Sequence, residues 1–341
     1  MGRPRRYSDA TLVNENDSIV QQQPLADNDR PELYRTLSET PTIVPNVPSS
    51  SQPIKIRALP FVTLLMKQGL FCFTSEASLQ KYKNNKRNLE LFEIDPLTKE
   101  LVGCPIFQCV SISILKGIWS KSPYIMKIYK YITSEEKLHE TSETKHELVG
   151  FNAELNLYLF RIEYCSVSQD SSTNKSGHSI SRTLHFHRPD PNTGHLYTAT
   201  LINKLLHRYT DVKISYKPNL YLRWYGTSGF ASVFGSLNFK LAIVNQEGNA
   251  RVGTWASFSD TNATILRPKR IMKEGILLVG EPEQDTNIRN SDAGTSELSK
   301  NTEVVCCMCL VIFEFESRKE TRRHGRDNAM FMSMGSGPLL F

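Results

Sequence analysis

The feature that most constrains this chain is the uninterrupted apolar run Val304–Phe313. As a helix, the run would be apolar on every side over about three turns, so surrounding protein would have to enclose it. Val, Ile and Phe are also enriched in strands, so periodicity leaves a second interpretation, a central β-strand over residues 304–315. The run is too short for a membrane-spanning helix, which needs about 20 apolar residues.

The flanks of the run favour the helix. Asn301 and Thr302 can supply capping oxygens, and Glu303 would lie at the positive end of the helix dipole. Gly325 is placed to end the helix. Four basic residues precede this glycine and would lie at the negative end of the dipole: Arg318, Lys319, Arg322 and Arg323.

Three cysteines inside the run, Cys306, Cys307 and Cys309, invite a comparison with zinc sites. A closed zinc site needs four ligands, usually in two knuckles, and no second pair with suitable spacing follows. We therefore expect these cysteines to pack in the core, as free cysteine usually does. The seven cysteines of the chain form no framework, which predicts a reducing compartment. The expected location is cytoplasmic, at the periphery of a membrane or in the nucleus.

Composition divides the chain into a tail and a globular part. Residues 1–55 hold seven of the seventeen prolines and few large apolar residues, so we expect this tail to be disordered. Within it, Ser8 follows two arginines and Thr40 precedes a proline, so both are candidate phosphorylation sites. Residues 56–326 are predicted to form a β-rich globular domain, followed by a short tail over residues 327–341.

The globular part reads as short strands separated by turns. Residues 156–165 form the strongest strand pattern, and residues 110–114 alternate strictly between apolar and polar side chains. Polar insertions are predicted near residues 133–147, 166–180 and 281–300, with a loop over 166–179 and a short helix over 201–209. About ten or more strands of this kind indicate an antiparallel barrel or a sandwich.

Many antiparallel strands followed by the apolar segment Thr302–Arg323 resemble the tubby-like β-barrel superfamily, which includes tubby proteins, phospholipid scramblases and LURP-one-related proteins. The resemblance covers about residues 56–325 and implies a closed barrel with a hydrophobic C-terminal helix inside it. A β-sandwich with residues 304–315 as a central strand is the alternative. A second block, Leu222–Gly229 continuing through Phe234–Ser236, resembles a block in uncharacterised fungal proteins and implies no activity.

Two histidines, His185 and His187, lie two residues apart, so a strand would present both on one face. The spacing is similar to the His-x-His of metal-binding cupins, but Arg188-Pro189-Asp190 follows where that pattern needs a Glu. A metal-dependent enzyme that uses these histidines is therefore only an alternative. No nucleophile, base and orienting group occur in a recognisable set, so we predict a protein that is not an enzyme and has no cofactor.

Basic clusters provide the main functional prediction. Six residues are candidate lipid contacts: Arg267, Lys269, Arg270 and Lys273 in a predicted turn, and Arg322 and Arg323 after the apolar run. Near an anionic membrane each cation contributes about 1 kcal/mol, although such charges also serve simply as a solvated surface. The net charge of +6 is too small to favour a nucleic-acid partner.

The predicted function is therefore a non-enzymatic intracellular adaptor that binds anionic phospholipid through its basic turns. The alternative is a protein–protein scaffold that recruits partners through residues 1–55 and has no role at lipids.

Overall fold

The structure is a computed structural model, and it describes residues 54–112, 123–138, 146–174, 177–189, 193–204, 207–227, 237–245, 247, 250–260, 271–282 and 298–334. The chain divides into two units, Met1–Thr40 and Pro41–Phe341, and every described residue belongs to the second. Residues 1–53 of the predicted tail, with the candidate phosphorylation sites Ser8 and Thr40, lie outside the described residues, and the last two residues of that tail, Ile54 and Lys55, begin β1.

The described residues form fifteen strands and two α-helices. The strands are β1 Ile54–Leu64, β2 Leu70–Cys72, β3 Glu93–Ile94, β4 Leu101–Val102, β5 Phe107–Ser111, β6 Tyr124–Ser134, β7 His146–Asn152, β8 Leu157–Asn174, β9 Gly177–Phe186, β10 Thr198–Lys204, β11 Tyr209–Ile214, β12 Leu222–Tyr225, β13 Asn238–Val244, β14 Arg251–Asp260 and β15 Ile271–Pro282. The helices are α1, Glu76–Asn84, and α2, Lys300–Met334; a short 3-10 helix spans Leu89–Leu91.

Antiparallel pairing closes twelve of these strands into a barrel. The order around the ring is β6-β5-β2-β1-β15-β14-β13-β12-β11-β10-β9-β8, and β8 then pairs with β6. Strand β7 pairs with the first half of β8, outside the ring, and β3 with β4 forms a separate small hairpin. The prediction of an antiparallel barrel is confirmed.

Helix α2 fills the barrel. Each residue of Val304–Phe313 is 5% exposed or less, and these residues form one core cluster with the inward side chains of the strands. Side chains alone just fill a barrel of about eight strands, so a wider ring needs an internal element about 10 Å across, which a helix supplies. A helix also bonds its own backbone groups, so it can lie in an apolar interior without a neighbouring strand.

The helical interpretation of the apolar run is therefore correct, and the strand and sandwich alternatives are wrong. Cys306, Cys307 and Cys309 pack in the core as predicted, and all seven cysteines of the chain are buried and free.

Both ends of α2 differ from the prediction. The capping oxygen comes from Ser299, whose Oγ accepts a hydrogen bond from the Thr302 N–H at 3.3 Å. Gly325 does not end the helix, which continues to Met334. One glycine costs a helix only about 1 kcal/mol, and Ala329 and Met330 beyond it are good helix formers.

Two further predictions of local structure are wrong. Residues 166–174 continue β8 and residues 177–186 form β9, so the polar segment near 166–180 is a β-hairpin where a loop was expected. Residues 201–209, predicted as a short helix, contain the end of β10 and the start of β11. In both cases the lateral hydrogen bonds of a neighbouring strand outweigh weak local preferences.

Helix α1 had no predicted counterpart. Ser75 caps it, with Oγ accepting from the Ser78 N–H at 3.1 Å, and Leu79 and Tyr82 pack on the outside of the barrel against Phe71 and Phe73. No helix among the described residues has the length and apolarity needed to cross a membrane.

Candidate anion-binding site

The course of α2 distinguishes the two rims of the barrel. At the proximal rim, defined by the start of β1 and the end of β15, Ser299 Oγ donates to Glu281 Oε1 at 3.3 Å. At the distal rim, defined by Leu64, Ser111, Asp260 and Ile271 at the other strand ends, Ser111 Oγ donates to Glu314 Oε1 at 2.9 Å. The helix therefore enters the barrel at the proximal rim and leaves it at the distal rim.

A buried polar cluster holds the first turn of α2. Glu303 forms a 2.7 Å salt bridge with Lys130 and accepts a 2.5 Å hydrogen bond from the Tyr164 hydroxyl. Burial, followed by the nearby Glu303 carboxylate, raises the pKa of Tyr164 well above its usual value. The ammonium of Lys300 lies over the rings of Tyr197 and Tyr216, at 4.2 and 3.5 Å from their centres. The charges of Lys130 and Glu303 balance each other, and these contacts fix the position of the helix. Both oxygens of the Glu303 carboxylate have a partner in the cluster.

The sequence-predicted lipid contacts have different outcomes. Lys273 lies near the start of β15, at the distal rim, and its ammonium is bound to Glu76 Oε2 at 2.6 Å. Arg267, Lys269 and Arg270 lie outside the described residues, but the flanking strands end at Asp260 and begin at Ile271, both at the distal rim. Arg322 and Arg323 belong to the part of α2 beyond this rim, where the structure describes no side chains.

A turn between β1 and β2 exposes two apolar side chains at the distal rim. Met66 has a φ of +69° and is 97% exposed, and Leu65 is 48% exposed. The turn ends at Gly69, with a φ of +99°, where any Cβ would collide with the carbonyl oxygen of Cys109. The backbone thus fixes a conformation that holds Leu65 and Met66 away from the core.

Beside this turn is a cleft of about 550 Å³ in the outer wall of the barrel. Its apolar lining includes Phe71, Leu89 and Val110, and its polar lining includes Lys67, Gln68, Gln108, Tyr131, Glu147 and Arg161. Strand register accounts for the position of Arg161, which lies opposite Tyr131 in β6 and Glu147 in β7.

The guanidinium of Arg161 is fixed from three sides. Nη1 donates to Gln108 Oε1 at 3.0 Å, Nη2 is bound to the Glu147 carboxylate, and the guanidinium lies 4.7 Å from the centre of the Tyr129 ring. The third nitrogen, Nε, is buried and has no hydrogen-bond partner among the described residues. A rigid guanidinium that keeps unused N–H donors is well suited to an oxyanion.

Positive charge accumulates next to Arg161. Burial, and after it the charges of Arg87 and Arg161, lowers the pKa of Lys67. In the part of the chain that the structure describes, no carboxylate forms a salt bridge with Lys67 or Arg87. The cleft therefore has an excess of cations close enough to repel one another.

His185 lies in β9 and His187 follows the last residue of this strand, Phe186. His185 Nε2 is 2.9 Å from Ser168 Oγ, and His187 Nε2 is 2.8 Å from Ser166 Oγ. Burial lowers the pKa of His187, and the charge of Glu163, with an oxygen 3.7 Å away, partly opposes this effect. Within the described ranges, no group of three or more His, Cys, Asp or Glu side chains is placed to hold a metal ion.

The residues of the cleft were missed by the sequence analysis. Lys67 was not singled out, and Arg161 was only one position of the strong strand pattern over residues 156–165. Their separate positions in sequence contain no signal that β5, β6 and β8 bring them to one cleft.

Sequence comparison relates the chain to one family and to two yeast proteins. The family model described as DIA1 matches residues 54–321. The uncharacterized protein YNL165W of Saccharomyces cerevisiae is 27% identical over 315 residues, which cover 83% of this chain and 74% of that protein. The uncharacterized protein YOR385W of the same yeast is 30% identical over 111 residues, or 32% of this chain and 34% of that protein. No solved structure matches the chain.

Proposed function

The chain belongs to the DIA1 family, and we propose that it is a non-enzymatic adaptor that binds anionic phospholipid membranes through the distal rim of its barrel. The observation that carries this proposal is the β1–β2 turn. This turn exposes 97% of Met66 and about half of Leu65, and it also contains Lys67, which forms no salt bridge with a carboxylate of the described residues.

The expected strength of this contact is moderate. Complete burial of a Met or Leu side chain contributes about 1.5–3 kcal/mol, and each cation near an anionic surface contributes about 1 kcal/mol. Partial insertion of Leu65 and Met66 together with Lys67 therefore gives reversible binding, comparable to that of a single acyl anchor. The electrostatic part should weaken as salt is added.

The proposal includes the basic residues predicted from the sequence. In sequence, Arg267, Lys269 and Arg270 follow β14 and precede β15, whose described ends Asp260 and Ile271 lie at the distal rim, and Arg322 and Arg323 belong to α2. Lys273 is a weaker candidate than its sequence position implied, because its ammonium is bound to Glu76.

Flotation with phosphatidylcholine–phosphatidylserine vesicles tests the proposal. We expect the full chain to float, and the double variant Leu65→Ser/Met66→Ser to bind about tenfold more weakly because the inserted apolar surface is lost. Leu97→Ser is the matched control, since Leu97 is 91% exposed in the β3–β4 hairpin, where the neighbouring Glu100 bonds Arg57 near the start of β1.

Each result of the flotation assay has a defined meaning. Undiminished binding by the double variant would overturn the role of the turn. A charge-reversed variant, Arg267→Glu/Lys269→Glu/Arg270→Glu, measures the contribution of the basic segment separately. If deletion of residues 1–53, which leaves β1 whole, abolishes binding while the double variant retains it, the tail and not the barrel makes the contact, as in the scaffold alternative.

We further propose that the DIA1 barrel is related to the tubby-like superfamily. The supporting observation is the shared order of elements, with antiparallel strands followed by an apolar helix that the closed barrel encloses. An experimental DIA1 structure superposed on tubby-like barrels tests the relationship, and a different strand order around the ring would refute it.

A further inference from the structure

We propose that the cleft lined by Lys67 and Arg161 binds a phosphate monoester carried on a lipid headgroup. This inference rests on the proposed function, because it names the chemical group that the distal rim recognises on a membrane.

The charge of the cleft together with its neighbour Arg87 matches a dianion. Among the described lining residues, Lys67 and Arg161 supply two positive charges and Glu147 supplies one negative charge. Arg87 is not part of the lining, but it lies close enough to lower the pKa of Lys67, and with it the difference, 3 − 1, leaves two positive charges to be balanced. A phosphate monoester at neutral pH carries about −1.5 to −2, whereas a phosphodiester or a carboxylate carries about −1.

Hydrogen-bond donors in the cleft are placed before any ligand arrives. Gln108, Glu147 and the Tyr129 ring hold the Arg161 guanidinium in one orientation, so little side-chain entropy is lost on binding. The bonds to Gln108 and Glu147 use two of the five N–H donors of the guanidinium, so an oxyanion in the cleft can accept from a remaining Nη donor.

Electrostatic repulsion provides a driving force of its own. Burial, and after it the charges of Arg87 and Arg161, lowers the pKa of Lys67, so these neighbours disfavour the charged form of the amine. A phosphate dianion among these groups would oppose the effect and raise the pKa of Lys67.

The location of the cleft favours a lipid as the carrier of the phosphate. Lys67 both lines the cleft and directly follows Leu65 and Met66 in the exposed turn. Phe71, Leu89 and Val110 give the cleft an apolar wall that a soluble phosphate would leave uncovered. A headgroup in the cleft would therefore place the adjoining acyl region beside the apolar side chains of the turn.

The test compares phosphatidic acid, a phosphate monoester, with phosphatidylserine at equal vesicle charge, using the full chain. We expect wild type to bind phosphatidic acid about tenfold more tightly, because the monoester carries about −1.5 to −2 on three terminal oxygens that can accept charge-assisted hydrogen bonds from Lys67 and Arg161. In Lys67→Gln and in Arg161→Lys this preference should fall to about onefold. Arg161→Lys keeps the charge but loses the planar fork, so it separates geometry from charge.

Lys213→Gln is the matched control, because it removes one charge from an exposed position on β11, outside the cleft. It should keep the preference for phosphatidic acid. Thermal unfolding of each variant verifies that the barrel is intact.

The experiment distinguishes an error in the phosphate site from an error in the proposed membrane binding. Binding of both vesicle types with equal affinity, unchanged in Lys67→Gln, would overturn the phosphate site and leave membrane binding standing. If no vesicle binds but glycerol 3-phosphate binds in calorimetry and loses affinity in Lys67→Gln, the phosphate site stands and its membrane source is overturned. Absence of binding to vesicles and to glycerol 3-phosphate would overturn both.

Discussion

Lys130 and Glu303 form a salt bridge of 2.7 Å in which 3% and 7% of the side chains are exposed. Such a pair stabilises a fold only while both partners are present, because each desolvated charge depends on the other. The Tyr164 hydroxyl donates to the second carboxylate oxygen, so the anion is bonded through both oxygens. These contacts define where α2 begins inside the barrel.

Loss of one charge from this pair should be costly. We expect Glu303→Gln to lower the free energy of unfolding by about 3–5 kcal/mol, because the ammonium of Lys130 would remain buried without its counter-charge. Urea denaturation measures the effect.

Two variants serve as controls for that measurement. Tyr164→Phe removes one hydrogen bond and should cost about 1.5–3 kcal/mol, the range for a bond to a charged group. The double variant Lys130→Met/Glu303→Leu should be more stable than Glu303→Gln. If Glu303→Gln costs less than Tyr164→Phe, the carboxylate is not the anchor of the helix.

Unlike Lys130 and Glu303, the cations Lys67 and Arg161 lie together without an equal number of carboxylate partners. Arg161 has one carboxylate partner, Glu147, and Lys67 has none among the described residues. Sequence analysis could not identify this site, because the register of β8 against its neighbours, and not any local motif, places Arg161 beside a turn that follows β1.

At the scale of elements, α2 fills the interior of this barrel, as a bound ligand fills the interior of some other barrels. Ten consecutive residues are almost fully excluded from solvent and contact the inward side chains of the wall. The length and flanks of the run were sufficient to predict a helix that protein encloses. Its N-cap at Ser299 and its end at Met334 were not predicted, since helix ends depend on weak local contacts.

Truncation of α2 tests its role as the filling of the barrel. We expect a chain ending at Arg318 to retain its melting temperature within about 4 °C, because it keeps every core residue of the helix. A chain ending at Ser299 should lose cooperative unfolding, because the ring would then enclose an unfilled apolar space. Differential scanning calorimetry of both chains measures this.

A milder variant addresses the same question in a folded chain. Leu310→Ala should lower the free energy of unfolding by about 2–5 kcal/mol through the cavity that it leaves. Cooperative unfolding of the chain ending at Ser299 near the wild-type temperature would show that the strands are stable without the helix.

The hairpin of β8 and β9 shows a limit of reading elements from sequence. Serine, threonine and asparagine dominate residues 166–174, and this composition led to the prediction of a loop. Pairing with β9 along this segment supplies backbone hydrogen bonds that composition cannot reveal. Residue preferences describe which side chains are common in strands, whereas a neighbouring strand to pair with decides whether a given segment becomes a strand.

At the scale of the whole molecule, closure of the ring leaves its twelve strands without a free edge. Six cysteines belong to the core cluster shared by the wall and the helix, and Cys104 belongs to a smaller cluster with Phe92, Tyr131 and Leu159. Burial raises the pKa of the Cys104, Cys109 and Cys165 thiols, which keeps them protonated and unreactive.

Thiol labelling with Ellman's reagent should therefore report opening of the barrel. We expect the six cysteines of the main core to react in a single phase at the rate of global unfolding, because the closed ring around them has no edge strand that could open alone. Cys104 should react in a separate, faster phase that disappears in Cys104→Ala. Early reaction of Cys306, Cys307 and Cys309 as a group would show that α2 leaves an otherwise folded barrel.

The sequence by itself determined that Val304–Phe313 is enclosed by protein, because ten adjacent apolar side chains have no other stable environment in water. It also determined a mainly antiparallel β architecture, since alternation and turn residues are local properties of the chain. Only the tertiary structure decided which strands are neighbours, and with them the meeting of Lys67 and Arg161 at one cleft. Alternation tells which face a side chain occupies, but the partner across a strand pair is fixed by register and ring closure, which are collective properties of the whole barrel.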